Sequence, residues 1–222
     1  EGLFDLRLGE DLCALVANGV GGGSLINAGV MVMPPRAVLE SRAWPKALRD
    51  PSSVEGLLAT GAALASRLGA TATPETPGSP LPLKFKALQA LAGRHGATTV
   101  PITVAPARAD AERIPTPAGV AIDACVGCGG CFTGCNYNAK VSLDVTLLAE
   151  ARQAGAEIYA GATVLKLERL ARCGAGPAWQ VTVVHTDEVL RRREPKPFLL
   201  SARRVVLAAG TFGSTEILMR SR

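Results

Sequence analysis

Four of the six cysteines in the chain, Cys125, Cys128, Cys131 and Cys135, fall within eleven positions of the run ACVGCGGCFTGCNYNAK. Their spacing, C-x2-C-x2-C-x3-C, matches a ferredoxin-type iron–sulfur ligand run up to its last position, where Asn136 replaces proline. Thiolates three residues apart on a loop containing Gly127, Gly129 and Gly130 can wrap a compact [4Fe-4S] cluster without side-chain clashes. Other chemistries stay open. Zinc normally uses paired C-x2-C knuckles lying well apart, and only Cys13 and Cys173 stand at a distance. Disulfides between cysteines this close are strained and would compete with one another. Small packed thiols that hold no ligand are the plainest alternative.

A second stretch, NGVGGGSLIN from Asn18 to Asn27, carries a different chemistry. Dense glycine lets the backbone take positive φ and leaves no side chain between it and a ligand. Exposed N–H groups can then face a phosphate or a flavin ring. A flexible linker would lack the apolar residues that bracket these glycines, Val20 on one side and Leu25-Ile26 with Val30 on the other. The stretch is not the usual GxGxxG, since no strand–turn–helix with an acidic residue some twenty positions on accompanies it. A third stretch, VVLAAGTFGSTEIL from Val205 to Leu218, reads as a buried strand that ends in AxG and opens a helix. Together the two glycine motifs suggest two contacts on one extended cofactor. His95 and His185 have no acidic or nucleophilic partner in register, so no hydrolytic triad and no obvious general base is present.

The elements that must position these residues follow from periodicity. Residues 3–18 read as short strands. Val54 to Leu68 is helical, with Leu57, Leu58, Ala62, Leu64 and Ala65 near one face, and Lys84 to His95 is a second helix carrying Leu88, Leu91 and Ala92. A connector with four prolines (71–82) separates them, and Thr98–Ala118 is expected to run extended over a surface. Ser142 is the expected N-cap of a helix reaching about Ala154, closed by Gly155. Ala162–Leu170, Trp179–Thr186 and Phe198–Leu200 are strands of an antiparallel meander. Arg191, Arg192 and Arg193 read as a solvated turn.

Composition bounds the class. The 222 residues are 48% hydrophobic and 19% charged, as in ordinary globular domains, with a net charge of +5. Aromatics at 4% leave little for base stacking, so nucleic acid is not an expected partner. No run of 18 apolar residues appears, and no transmembrane segment is expected. The chain begins with Glu1 and stops at Arg222 inside a helical pattern, so a piece of a longer protein is expected.

ANGVGGGSLINAGVM resembles the first signature of the glucose-methanol-choline (GMC) flavoenzymes, particularly their bacterial cholesterol-oxidase-like branch. Trp44-Pro45 after Pro34-Pro35 fits the same context, NAKVSLDVTLLAEARQAGAEIYAGATVLKLE resembles the later segment approaching the adenine half of FAD, and AAGTFGSTEILMRSR resembles the second signature. The resemblance covers about residues 1–50 and 120–222. It implies that Asn18, Gly19, Gly21, Gly22, Gly23 and Ser24 contact the FAD pyrophosphate and ribityl chain. It likewise implies that Asn27, Ala28 and Val30 lie beside the isoalloxazine, with Val164 and Gly210 on the adenine and ribose side. The family's N-terminal GxGxxG would precede Glu1, its active-site His would follow Arg222, and Met31 departs from the usual aromatic or Ala. Some cholesterol-oxidase-like relatives carry a similar cysteine-rich insert.

The expected fold is α/β with α+β features: an incomplete FAD/NAD(P)-binding Rossmann-like domain with a β-meander and a helical or irregular insertion. The expected divisions are a FAD-contacting segment (1–50), a variable insertion near the substrate domain (51–119), a cysteine-rich loop (120–140) and the rest of the FAD-binding domain (141–222). The parent enzyme would oxidise the CH–OH group of an alcohol or sterol-like donor, passing hydride to flavin. The alternatives are an iron–sulfur module serving an electron-acceptor protein, or a fragment inactive by itself. A cluster would favour the cytoplasm.

Overall fold

The computed structural model describes residues 2–70, 83–96, 100–105, 113–171, 176 and 178–221. The proline-rich connector and Cys173 lie outside the described residues. The chain forms two compact units, Glu1–Glu157 and Ile158–Arg222.

The first unit opens with β1 (Phe4–Leu8) and β2 (Cys13–Ala17), the short strands expected within 3–18, which pair as an antiparallel hairpin. Its turn is closed by the Gly9 N–H donating to Leu12 O at 3.1 Å. The glycine-rich stretch leaves β2 directly and tightens into a 3-10 turn, Gly22–Leu25. Pro35 starts a short helix α1 (Arg36–Leu39), and Asp50-Pro51 starts α2 (Pro51–Arg67). Asp50 caps α2 by accepting the Ser53 N–H at 3.0 Å, while Pro51 occupies the first turn, where its missing N–H costs nothing.

The buried stripe of α2 differs from the expected one. Val54 is fully buried and Leu58, Gly61 and Ala65 are partly covered, whereas Leu57 and Leu64 face out. The stripe turns through Gly61 because Met33 lies across it; a Cβ there would sit 1.9 Å from Met33 Cε. The next helix, α3 (Leu83–His95), forms as expected but contributes no buried residue.

The core lies further on. Residues 103–105 do not run over a surface: Thr103, Val104 and Ala105 are buried. The strand-like thread 102–105 is held on both sides, with Thr103 N–H donating to Gly29 O at 2.7 Å and Ala105 N–H to Ala139 O at 2.7 Å. Two-sided pairing satisfies its backbone and so permits burial. A small ladder of β3 (Ile114–Pro115) and β4 (Ala121–Ile122) adds Ile122, and the core cluster is Ala105, Ile122, Ala139 and Val141.

The helix expected from Ser142 is interrupted. A 3-10 turn, Leu143–Val145, precedes α4 (Leu147–Gln153), and Thr146 between them has φ −127° and ψ −103°. Its buried hydroxyl donates to Ser142 O at 2.8 Å, offering the backbone an alternative to continuous helix. Gly155, at φ +91°, ends α4 in the expected left-handed position.

The second unit is the expected meander: β5 (Ala162–Arg169), β6 (Trp179–His185), an unforeseen helix α5 (Glu188–Arg193), then β7 (Phe198–Ala202) and α6 (Gly210–Arg220). The sheet is antiparallel in the order β5-β6-β7. β5 carries a bulge between Val164 and Lys166. Asp187 caps α5 through the Leu190 N–H at 2.8 Å. The three arginines therefore lie on a helix, and Arg191 donates to the carbonyls of His185 (2.8 Å) and Thr186 (3.3 Å) rather than to solvent alone. RVVLAA joins no sheet among the described residues, and Val206 is 89% exposed. A parallel strand needs a neighbour to ladder with, and no described strand stands beside this one. All three sheets among the described residues are small and antiparallel.

The Asp50 carboxyl, held by hydrogen bonds from Ser52 and Ser53, is lowered to about 2. A depressed carboxylate stabilises the fold above its unfolded pKa and loses that contribution as pH falls through the folded value. Acidification from about pH 4 to about pH 2 should thus fray the start of α2. Asp50→Asn, which caps without a charge, should remove that step; identical acid titrations of hydrogen exchange at Ser53 in the two proteins would contradict it.

Candidate functional site

The glycine-rich loop is ordered by hydrogen bonds within it and to its neighbours. Gly22 N–H donates to Gly19 O at 3.0 Å, and Asn27 N–H to Gly23 O at 2.9 Å. Ser24 Oγ donates to Gly21 O at 2.7 Å and accepts the Leu143 N–H at 3.0 Å. Gly21 and Gly22 hold positive φ (117° and 54°), the conformational reason for glycine there. A Cβ at Gly22 or Gly23 would meet nothing within 4 Å, so this backbone faces open space. The N–H groups of Gly19, Val20 and Gly21 find no acceptor among the described residues. A run of unpaired N–H donors beside the open backbone of Gly22 and Gly23 fits an anionic group such as a phosphate.

Downstream, the Asn27 side chain accepts the Gly29 N–H at 3.1 Å, an Asx turn that fixes the Ala28 peptide. Val30 bridges to Ile102 and is half exposed. Asn18 is exposed, its side-chain amide 3.4 Å from Gly2 O. Asn18 through Val30 thus lie together in the first unit, with Gly29 buried among them. Val164 and Gly210 lie in the second unit, Val164 at the β5 bulge and Gly210 at the first residue of α6 with φ +70°.

The residue that organises this surface is Lys140, to which the sequence reading gave no role. It is 5% exposed. Its ammonium donates to Leu25 O (3.1 Å), Cys131 O (3.0 Å) and Asn27 O. No carboxylate among the described residues stands within ion-pair distance, so peptide oxygens alone hold the charge. Burial pushes its pKa down, while Cys131, Cys135 and Asp144 act against that fall. The sequence signal was slight: a lysine flanked by Ala139 and Val141, all three now buried.

The cysteine loop meets the same lysine from the other side. All five described thiols are free. Cys125 and Cys135 pack against the core cluster, and Cys128 is exposed. Three sulfurs accept backbone N–H groups: Cys125 from Gly127 (3.4 Å), Cys128 from Gly130 (3.5 Å) and Cys135 from Ala139 (3.3 Å). Burial pushes the Cys131 thiol up, reinforced by Cys125 and Cys135. Yet among the described residues no three metal-ligating side chains gather as a metal site. The loop is tied to the hairpin by Phe4 and Phe132, their rings 6.2 Å apart, and by Gly134, where a Cβ would stand 2.7 Å from Leu3 Cδ2. A cavity of about 140 Å3 lies between the two loops, lined by Leu25, Cys135, Lys140, Ser142 and Asp144 among others. Neither histidine is near it in sequence or role: His95 is exposed on α3, and His185 pairs with Glu194 at 3.1 Å.

Against known proteins, the family model described as GMC oxidoreductase matches residues 7–222, and the chain belongs to that family. Over 224 residues it is 31% identical to a cholesterol oxidase of Mycobacterium tuberculosis (strain CDC 1551 / Oshkosh), covering 96% of this chain and 36% of that protein. Over 229 residues it is 25% identical to a cholesterol oxidase of Acinetobacter baumannii, covering 99% of this chain and 40% of that protein. The chain therefore spans 36–40% of the length of these curated relatives.

Ser24 joins the glycine loop to the 142–145 turn, so Ser24→Ala should cost about 1–2 kcal/mol by leaving the Leu143 N–H without its acceptor. Urea unfolding of the full-length protein measures it; no loss would mean that water replaces the hydroxyl.

Proposed function

We propose that this chain is the flavin-contacting part of an FAD-dependent oxidoreductase that oxidises the CH–OH group of an alcohol or sterol-like donor. The observation that carries this reading is the glycine-rich turn at Gly19–Gly23, with unpaired N–H groups at Gly19, Val20 and Gly21 among the described residues and open space beside Gly22 and Gly23, in a chain of the GMC family. FAD, when bound, supplies the hydride acceptor. Asn18, Gly19, Gly21, Gly22, Gly23 and Ser24 would line the pyrophosphate and ribityl chain, with the unpaired N–H groups of Gly19 and Gly21 as donors. Asn27, Ala28 and Val30 would flank the ring, with Asn27 fixing the turn and Val30 anchored to the 102–105 thread. Val164 and Gly210 would serve the adenine and ribose side of an incomplete Rossmann-like domain, with residues 1–50, 120–140 and 141–222 contributing to it and 51–119 forming the substrate-side insertion.

The cholesterol oxidase names of the relatives support a small-molecule alcohol as substrate. No catalytic base is assigned to this chain. Among the described residues no helix is long and apolar enough to cross a membrane.

The full-length protein should purify with, or take up, a flavin absorbing in the blue and near-ultraviolet, and a primary or sterol-type alcohol should bleach it. Folded protein that takes up no flavin on reconstitution would end this reading.

A second reading, that the cysteine loop is an iron–sulfur electron-transfer module serving an acceptor protein, is favoured by the three N–H···S bonds at Cys125, Cys128 and Cys135. The thiols are not preassembled around a metal position, so ligation by all four would require the loop to close through Gly127, Gly129 and Gly134. Anaerobically purified full-length protein should then contain iron and sulfide in stoichiometric amounts and give an EPR signal on reduction. Cys128→Ser should abolish that signal while substrate still reduces the flavin. Stoichiometric zinc, or no metal, leaves the loop a structural pin.

A further inference from the structure

We propose that Lys140 is a positioning residue for the flavin, acting through the Asn27 carbonyl to polarise the unpaired N–H of Ala28. The proposal rests on the flavin-binding reading above.

Of the three carbonyls that Lys140 holds, only one can pass its effect to a ligand. The Leu25 carbonyl shares a peptide with the Ile26 N–H, which is already used by Gly23 O at 3.2 Å. The Cys131 carbonyl shares a peptide with the Phe132 N–H, which lies inside the 3-10 turn Gly130–Thr133. The Asn27 carbonyl shares a peptide with the Ala28 N–H, which has no acceptor among the described residues and belongs to an exposed residue. Drawing electron density onto the Asn27 oxygen makes the nitrogen at the other end of that peptide a stronger donor, the cooperative polarisation of linked hydrogen bonds.

The peptide is held for this task on both sides. Asn27 Oδ1 fixes the Gly29 N–H, and Gly29 O accepts both the N–H and the hydroxyl of Thr103. Gly29, at φ +76°, lies where a Cβ would stand 3.4 Å from Val104 Cγ2, so the turn cannot readily drift. The charge behind it is buried and forms no ion pair with a described carboxylate, although Asp144 acts on it from a distance.

The test compares wild type, Lys140→Met and Lys140→Arg in the full-length protein. Amide exchange at single-residue resolution is read without flavin, and the flavin midpoint potential is read with it. At neutral pH the exchange of an open amide rises with its acidity. Wild-type Ala28 should exchange roughly tenfold faster than its sequence-intrinsic rate, as one pK unit implies, while the open amides of Val20 and Gly21 should not. Lys140→Met should return Ala28 to the intrinsic rate and lower the potential by about 30 mV, the two-electron equivalent of tenfold. Lys140→Arg should restore most of both.

Were the lysine purely structural, Lys140→Met would instead accelerate exchange at Asn27 and Gly29 while Ala28 kept its intrinsic rate in every protein; that result overturns the proposal. Should Lys140→Met fail to fold, the wild-type contrast between Ala28 and Gly21 decides alone. Flavin bound by both proteins at one unchanged potential defeats the role of Lys140 only. A wild type that binds no flavin defeats the flavin reading and leaves the exchange result standing.

Discussion

A buried ammonium with no carboxylate to meet it is the constraint on which the first unit depends. Taking such a charge out of water costs several kcal/mol, and only a full complement of hydrogen bonds offsets that loss. Lys140 finds its acceptors on two loops, Leu25 and Asn27 on one and Cys131 on the other. The partners on the first loop lie 115 and 113 residues away in sequence, so the charge is satisfied only once the chain has assembled. A glycine-rich loop, which loses the most entropy on ordering, thereby gains a fixed shape from a residue it does not contain. The backbone pairing of residues 102–105 with both Gly29 and Ala139 holds the same two segments together a few ångströms away.

Much of the scaffold was legible because it rests on local rules. The strands within 3–18, the meander, the body of α2 and the Gly155 terminus follow from alternation, helical periodicity and Gly at the expected places, whereas α2 starts at Asp50-Pro51, ahead of the expected Val54. The larger departures share a different origin: each depends on a partner remote in sequence. The α2 stripe turned because Met33 lies over Gly61, a contact no periodicity encodes. Residues 103–105 looked like surface because their pairing partners are 74 and more positions back, at Gly29, and ahead at Ala139. RVVLAA reads as a sheet core, yet a strand exists only where a neighbour accepts its ladder. Lys140 escaped notice because lysine is ordinarily a solvated residue, and only its apolar flanks hinted otherwise.

The cysteine run shows the same division between spacing and placement. Its spacing is legible and points to a ligand set. Its placement assigns Cys125 and Cys135 a packing role against Ile122, Ala139 and Val141, whatever else they do. The carbonyl of Cys131 belongs to the lysine's shell, so this loop is mechanically joined to the glycine-rich one. Any chemistry at the thiols is thus performed on a part of the structure that also shapes the glycine-rich surface.

The bulge in β5 has a bearing on how this chain can vary. Val164 faces Val183 and Lys166 faces Thr182, so one residue, Leu165, is spare in the register. Residues two apart across it therefore point to opposite faces, which sends Val164 and Leu167 to one side and Lys166 and Glu168 to the other. The strand is written in two phases joined by a single extra letter. What homologous strands must keep here is parity rather than composition: a tolerated substitution leaves both halves in frame, whereas one insertion or deletion between Val164 and Leu167 turns one half inside out.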